Sequence, residues 1–238
     1  MIAFAVPREL GRMKQESATL SRHAHMTKSL KHTTYPVAEE RINIYSHGLG
    51  LIASAIALVA LTLKASGVLQ IVSVVVFAVS LMALYGSSTI YHSTQNVAHR
   101  ARLRTVDHSM IYVLIAGSYT PFSLLILDGA VGWAVFGVSW AMAATGITIK
   151  LFHTGKYNKI STAMYVFMGW IIVFAIKPLA ANFSSEGLAW LFAGGMFYTV
   201  GALFYSIRKM PYGHATFHVF TLMGSACHVV CVYCFVLE

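Results

Sequence analysis

Long apolar segments follow one another along the chain, with only short polar connections between them. A helix rises 1.5 Å per residue, so about 20 apolar residues cross the roughly 30 Å hydrocarbon core of a bilayer. Seven segments approach or reach this length, namely residues 45–63, 68–91, 107–127, 131–149, 161–176, 188–207 and 214–237. The pattern predicts an all-α fold, a polytopic bundle of seven transmembrane helices.

The composition supports a membrane location. Of the 238 residues, 57% are hydrophobic and 11% are charged, and the mean hydropathy is +0.67. This is more apolar surface than the core of one soluble domain can cover, so we expect lipid to cover the rest. No soluble domain is visible, and we predict that residues 42–238 form one transmembrane domain.

The charge distribution predicts the topology. A formal charge of +9 could suggest nucleic acid as a partner, but the cations fall on alternate loops and form no single stripe. With a cytoplasmic N-terminus, all 17 Lys and Arg residues except Lys64 and Lys177 lie on the inner side. Because cytoplasmic loops are enriched in Lys and Arg, we predict a cytoplasmic N-terminus, a periplasmic or extracellular C-terminus, and no binding to nucleic acid.

Residues 1–41 are polar and basic. Their short apolar stretch, residues 2–6, is too short for the core of a signal peptide and has no basic residues before it. We therefore expect an uncleaved, mobile tail. Met26 is a second possible start, since a basic head would still precede the first span.

Four side chains suited to metal or acid–base chemistry fall at one predicted depth. His92 ends the second span, Asp107 opens the third, and His214 and His218 open the seventh. An ionisable group inside a membrane costs roughly 2.5–3.5 kcal/mol on insertion scales and is usually paired or functional. Three predicted helices thus present such groups to one cytoplasmic layer.

Three of these side chains could hold a metal ion. His214 and His218 are four residues apart, which places both imidazoles on one face of a helix. With His92 they would form a three-histidine set, and catalytic zinc sites use three protein ligands and keep a fourth position for water. The spacing predicts a Zn²⁺ site with His92, His214 and His218 as ligands.

Zinc in such a site lowers the pKa of its water toward about 7, which suits hydrolysis of an amide or ester beside lipid head groups. Asp107 could orient that water or act as general base. Ser88, one turn before His92, could hydrogen-bond to the water or to a developing oxyanion. Both roles are hypotheses from spacing.

Structural explanations compete with each functional one. A histidine at a helix end often reaches to the interface, as we expect for His47, and Asp107 could simply cap the third helix. The three cysteines of the last span are expected to pack, with no disulfide. A second metal site remains an alternative, from His228, Cys231 and Cys234.

Together, the motifs of the first, second, third and seventh spans resemble those of the hemolysin III family, the bacterial branch of the progestin and adipoQ receptor (PAQR) group, within a wider set of membrane metallohydrolases. The resemblance covers the chain from about Glu39 to the C-terminus. It rests on these motifs: Ser46-His47-Gly48, Ser88-x-x-x-His92, the run from Asp107-His108-Ser109 to Tyr119-Thr120-Pro121, and Pro211-Tyr212-x-His214-x-x-x-His218 with Gly224 and His228.

The resemblance implies a cytoplasm-facing zinc site, with His92, His214 and His218 as ligands beside Ser88 and Asp107. It also implies a location in the bacterial inner membrane, with membrane lipids as partners. We expect a zinc-dependent hydrolase of a lipid amide or ester that affects lipid homeostasis. The alternative is a non-enzymatic, zinc-stabilised sensor or regulator of membrane fluidity or energetics. In either case a haemolytic phenotype would be indirect.

Overall fold

The structure is a computed structural model that describes residues 35–127, 129–154, 158–207 and 210–238, together with Gln15 and Ser17, both of which are helical. The chain divides after Pro36, and Val37–Glu238 forms one compact unit. The possible start at Met26 and most of the predicted tail lie outside the described residues.

Within the described residues of this unit the structure is helical, without strands. The α-helices are α1 (Val37–Lys64), α2 (Val68–Ser93), α3 (Val97–Leu125), α4 (Gly129–His153), α5 (Asn158–Gly169), α6 (Ile176–Asn182), α7 (Ser185–Ser206) and α8 (Gly213–Cys231). A 3₁₀ segment, Ile171–Ala175, joins α5 to α6, and a π-helical turn, Val232–Val236, extends α8. The predicted all-α class is therefore confirmed.

Six helical segments are long and apolar enough to cross a membrane. They are α1, α2, α4, the combined segment Ile160–Asn182, α7, and α8 with its π-helical extension. These correspond to six of the seven predicted spans. The protein is therefore a multi-pass membrane protein.

Helix α3 corresponds to the remaining predicted span. It has 29 residues, begins ten residues before the predicted segment, and is less apolar than the other long helices. Its polar residues turn inward, because it packs against both α2 and α4. The buried polar residues of α3 include Asp107, His108, Ser109, Ser118, Thr120 and Ser123.

The polar and apolar faces of α1 are reversed relative to those of a soluble helix. Its buried stripe consists of Glu39, Asn43, His47, Gly50, Ser54, Ala57 and Leu61. Its exposed face carries Tyr45, Leu49, Ile52, Ile56, Val59 and Leu63. Large apolar side chains point outward and most of the polar ones inward, as expected where lipid is the solvent.

The helices close into a ring around an internal cavity. Each of the long helices packs against its neighbour in sequence, α5 packs against α7, and α1 packs against α8. Close approach of α7 and α8 depends on Gly194, where a Cβ atom would lie 2.2 Å from the His228 ring. The ring brings the first and last helices together at the end where His92 lies.

The segment predicted as one span at residues 161–176 contains a break. The α-helix stops at Gly169 and resumes at Ile176. Tyr119 on α3 binds both sides of the break: its hydroxyl donates to the Gly169 carbonyl at 2.8 Å and accepts from the Ile172 amide at 3.1 Å. The break is thus tolerated because a side chain from α3 satisfies the backbone groups that it frees.

Tyr119→Phe should therefore destabilise the bundle. It leaves a buried amide and carbonyl without this partner, which costs on the order of 1–3 kcal/mol. We expect a lower thermal midpoint in detergent. Tyr45→Phe is the matched control, because Tyr45 is 73% exposed, and equal midpoints for the two variants would contradict this account of the break.

Candidate metal centre

Three buried imidazoles meet at one end of the ring. His92 lies in the last turn of α2, and His214 and His218 lie in the first turns of α8. The Nε2 atom of His214 is 3.1 Å from Nε2 of His92 and 3.1 Å from Nε2 of His218. The structure thus brings together the three predicted ligands, in a buried group that could hold a metal ion.

The spacing of these nitrogens fits a shared ion better than hydrogen bonds. A neutral imidazole nitrogen is either a donor or an acceptor along one direction, so Nε2 of His214 cannot bond well to both neighbours. Two nitrogens on a tetrahedral zinc ion, each at about 2.0–2.1 Å from it, lie about 3.3 Å apart. The observed separations are close to that value.

A carboxylate on α1 orients the first of these imidazoles. Oε2 of Glu40 lies 2.6 Å from Nδ1 of His92. The second oxygen of Glu40 binds Arg100, whose guanidinium also donates to backbone carbonyls at the end of α2, including that of Thr94 at 3.0 Å. When Nδ1 donates its proton to Glu40, Nε2 carries a lone pair that faces the other histidines. Histidines that bind metals commonly have such a carboxylate on their second ring nitrogen.

The neighbouring carboxylate holds the other two imidazoles in place through the backbone. Oε1 of Glu39 accepts from the amide of His214 at 3.2 Å and from that of Ala215 at 3.4 Å. These amides lie in the first turn of α8, where backbone amides have no partner within the helix and a negative charge is favourable. Glu39 and Glu40 therefore connect the start of α1 to both helices that carry histidines.

His47 belongs to this cluster, contrary to its predicted interfacial position. It is 2% exposed, and its ring stacks on that of His218, with centroids 3.5 Å apart and planes 7° apart. The Tyr85 ring also contacts His47 edge-on, with centroids 5.0 Å apart. The reason is its place on the inward stripe of α1, eight residues after Glu39, which holds it inside the ring.

Asp107 and Ser88 face the same cavity as two of the imidazoles, His214 and His218. Asp107 lies within α3, whose N-cap is Asn96, so the alternative explanation of Asp107 as a helix cap is wrong. The Ser88 hydroxyl lies near the Asp107 side chain. Both side chains are buried.

The cavity itself is largely apolar beyond these groups. Along α3 it is lined from Asp107 to Phe122, a rise of about 22 Å at 1.5 Å per residue. Half of a bilayer core is about 15 Å. The cavity therefore runs far enough along the helix for the hydrocarbon chain of a lipid whose head lies at the histidines.

The alternative metal site in the last helix finds no support. Nε2 of His228 lies 3.1 Å from the Leu191 carbonyl, and Sγ of Cys231 donates to the Gly187 carbonyl at 3.2 Å, while Cys234 is exposed. In the part of the chain that the structure describes, these three residues form no metal-binding group. His228 and Cys231 instead join α8 to α7.

Residues 35–229 match the family model described as haemolysin-III related. This chain belongs to the haemolysin-III-related family. Hemolysin-3 of Bacillus cereus is 41% identical over 215 residues, which cover 89% of this chain and 98% of that protein. A Hemolysin-3 homolog of Bacillus subtilis is 42% identical over 205 residues, covering 84% of this chain and 96% of the relative.

The relationship extends beyond bacteria. The human protein named monocyte to macrophage differentiation factor is 25% identical over 203 residues, covering 82% of this chain and 83% of that protein. This agrees with the predicted relationship, in which the hemolysin III family is the bacterial branch of the PAQR group. Membership of the haemolysin-III-related family confirms the resemblance drawn from the motifs.

Glu40→Gln should weaken metal binding without removing a ligand. The amide cannot accept the Nδ1 proton of His92 as strongly, and loss of such a supporting carboxylate typically lowers metal affinity 10–100-fold. Competition titration of purified protein with a chromogenic zinc chelator measures the change. Glu186→Gln is the matched control, since Glu186 is exposed in the first turn of α7; equal affinities for the two variants would exclude this role of Glu40.

Proposed function

We propose that this protein is a zinc-dependent hydrolase that acts on a lipid amide or ester at the cytoplasmic leaflet of a bacterial inner membrane. The observation that carries the proposal is the meeting of three Nε2 atoms beside a buried carboxylate, at one end of a long apolar cavity. A three-histidine set fits a zinc ion with an open position. The lining of the cavity extends from the histidines along α3, the direction in which the chain of a lipid substrate would lie.

The residues around the histidines would have different roles in the reaction. When bound, zinc polarises a carbonyl and lowers the pKa of a water toward about 7. Asp107, buried and lining the cavity with His214 and His218, would accept a proton from the attacking water and later return it to the leaving group. The hydroxyl of Ser88 would donate to the oxygen on which negative charge develops.

The same residues supply the dry, rigid surroundings that this chemistry needs. Glu40 holds the ring of His92 in one tautomer, and Glu39 fixes the start of α8. His47 covers one face of the His218 ring. Burial of these groups excludes bulk water and strengthens their electrostatic interactions.

A second candidate function is a non-enzymatic regulator of membrane fluidity or energetics, in which zinc only fastens the helices together. The linkage of α1, α2, α3 and α8 by Glu39, Glu40 and Arg100 favours this candidate, because a metal at the histidines would strengthen the same junction. For either function, a haemolytic effect would follow indirectly from altered membrane lipids.

Substitution of Asp107 distinguishes the two candidates. In a hydrolase, Asp107→Asn should keep one zinc per chain and lower turnover 100-fold or more, about the lower end of the contribution of a general base. Release of fatty acid from a panel of lipid amides and esters gives turnover, and elemental analysis gives zinc. In a protein whose zinc is purely structural, the wild type shows no turnover, and Asp107→Asn leaves the zinc content and any haemolytic phenotype unchanged.

Matched variants test the remaining assignments in the same assay. Ser88→Ala should reduce turnover, whereas Ser87→Ala should not, because the Ser87 hydroxyl already donates to the Leu84 carbonyl. The double variant His214→Ala/His218→Ala should lose zinc. Full zinc content in a folded double variant would refute the ligand assignment.

The proposed topology places the histidines at the cytoplasmic side and the C-terminus outside. It requires α3 to cross the membrane in addition to the six apolar helical segments, which gives seven spans. The low hydropathy of α3 does not argue against its crossing the membrane, because its polar residues are buried against other helices and do not contact lipid. A fusion of alkaline phosphatase to Glu238 should be active, since that enzyme matures only outside the cytoplasm. Fusion after Thr154, in the loop that follows α4, should be inactive, and the reverse pattern would invert the topology.

A further inference from the structure

A lysine is buried in the wall of the cavity that His214 and His218 also line, and it forms no ion pair with a described residue. Lys150 lies in the last turn of α4, is 2% exposed, and lines the cavity. Its ammonium lies 5.9 Å from the centroid of the Tyr165 ring. Within the described ranges it forms neither an ion pair nor a side-chain hydrogen bond. A buried ammonium is costly unless it is paired.

A second cation approaches the same place from another helix. Arg104 lies on α3, three residues before Asp107, and is partly buried. It is close enough to Lys150 and to Asp107 to interact with both electrostatically. No described carboxylate lies within ion-pair distance of its guanidinium. Two cations thus lie in the region of one carboxylate, which forms an ion pair with neither.

The other groups at this position add no negative charge. His108 is buried near both cations, and its carbonyl accepts from the Tyr165 hydroxyl at 2.9 Å. Tyr205 lines the cavity close to Arg104. Lys150 therefore lines the cavity among neutral donors, Arg104 lies near it outside the lining, and Asp107 is the one described acid in the lining.

Favourable interaction with the helix end does not account for this lysine. A cation in the last turn of a helix is stabilised by the helix dipole while its head stays in water. Arg102 and Lys177 are exposed to solvent or lipid head groups. Lys150 instead lines the cavity, where its one described contact is with the face of the Tyr165 ring and a bound anion could pair with its ammonium.

We propose that Lys150 and Arg104 form a subsite for the anionic oxygen group, phosphate or carboxylate, of a lipid whose hydrocarbon chain lies in the cavity. This inference rests on the proposed function and names its substrate class as an anionic lipid. Lys150 would bind the anion inside the cavity and Arg104 would bind it from the side of Asp107. The scissile bond would then lie between the subsite and the histidines.

Binding of short-chain lipids to purified protein in a neutral maltoside detergent tests the proposal. The probes are dioctanoyl phosphatidic acid and dioctanoyl phosphatidylcholine, which share their chains and differ in head-group charge. We expect the wild type to prefer phosphatidic acid about tenfold or more, as charge-assisted hydrogen bonds to both cations would give. Equal affinities would overturn the proposal.

Lys150→Gln and Arg104→Gln should each remove most of that preference, and Lys150→Arg should keep it. Arg102→Gln is the matched control, because it removes one exposed cation from the same helix as Arg104. Zinc content should be unchanged in Lys150→Gln. A loss of zinc, or a preference that survives in both glutamine variants, would refute the subsite, and Arg104→Gln keeps the test decisive if Lys150→Gln does not fold.

Competition separates a lipid head group from a free anion. Inorganic phosphate that displaces phosphatidic acid at equal concentration would show a site for free phosphate and refute the lipid form of the proposal. Failure of the hydrolase is distinguishable, because binding needs no turnover. Selective binding of phosphatidic acid without hydrolysis would support the subsite and refute the hydrolase. Hydrolysis of neutral lipids, with equal affinities for the two probes, would support the hydrolase and refute the subsite.

Discussion

The contact between the Glu40 carboxylate and the His92 imidazole is the interaction on which the rest of this site depends. It fixes the tautomer of His92, and through Arg100 it fixes the connection between α2 and α3. Glu39, one residue earlier, holds the first turn of α8. A single turn of α1 therefore sets the relative positions of all three imidazoles, although it supplies none of them.

This dependence explains why a membrane protein keeps so many ionisable groups near one end of its bundle. A carboxylate in lipid is costly unless it is paired. Here Glu40 is paired with two groups and Glu39 with the amides of a helix start. The pairs close the ring of helices where α1 meets α8, so the polar groups hold together the same junction that the histidines occupy.

The sequence was sufficient for the long apolar helices and for the residues that meet at the histidines, because both leave local signals. A span needs about 20 apolar residues, and His214 and His218 share a helix face through their spacing. The position of α3 was harder to predict, because its N-terminal half is charged and its polar residues are hidden by neighbours. The break at Gly169 depends on Tyr119, 50 residues away, and no local pattern marks it.

The supporting residues of the site escaped prediction for a related reason. Glu39 and Glu40 looked like part of a polar tail, and His47 looked interfacial, because the first span was taken to begin at Tyr45. The helix begins at Val37, and a four-residue step from Glu39 through Asn43 to His47 then forms one inward face. This four-residue spacing is the signal from which the earlier start of the helix could have been predicted. A second signal is the pair of acids just before an apolar segment, because acids near lipid need partners.

Charge balance connects the candidate metal centre to the cavity beyond it. The described acids around the site are Glu39, Glu40 and Asp107, and the described cations are Arg100, Arg104 and Lys150, so the side chains alone are close to neutral. A divalent ion at the histidines would leave an excess of positive charge in a buried place, near a lysine and an arginine that form no ion pair with a described residue. Burial of uncompensated charge is unfavourable. An anionic ligand would compensate both the ion and the two cations, which is why a metal at His92, His214 and His218 and an anion at Lys150 and Arg104 would each strengthen the binding of the other.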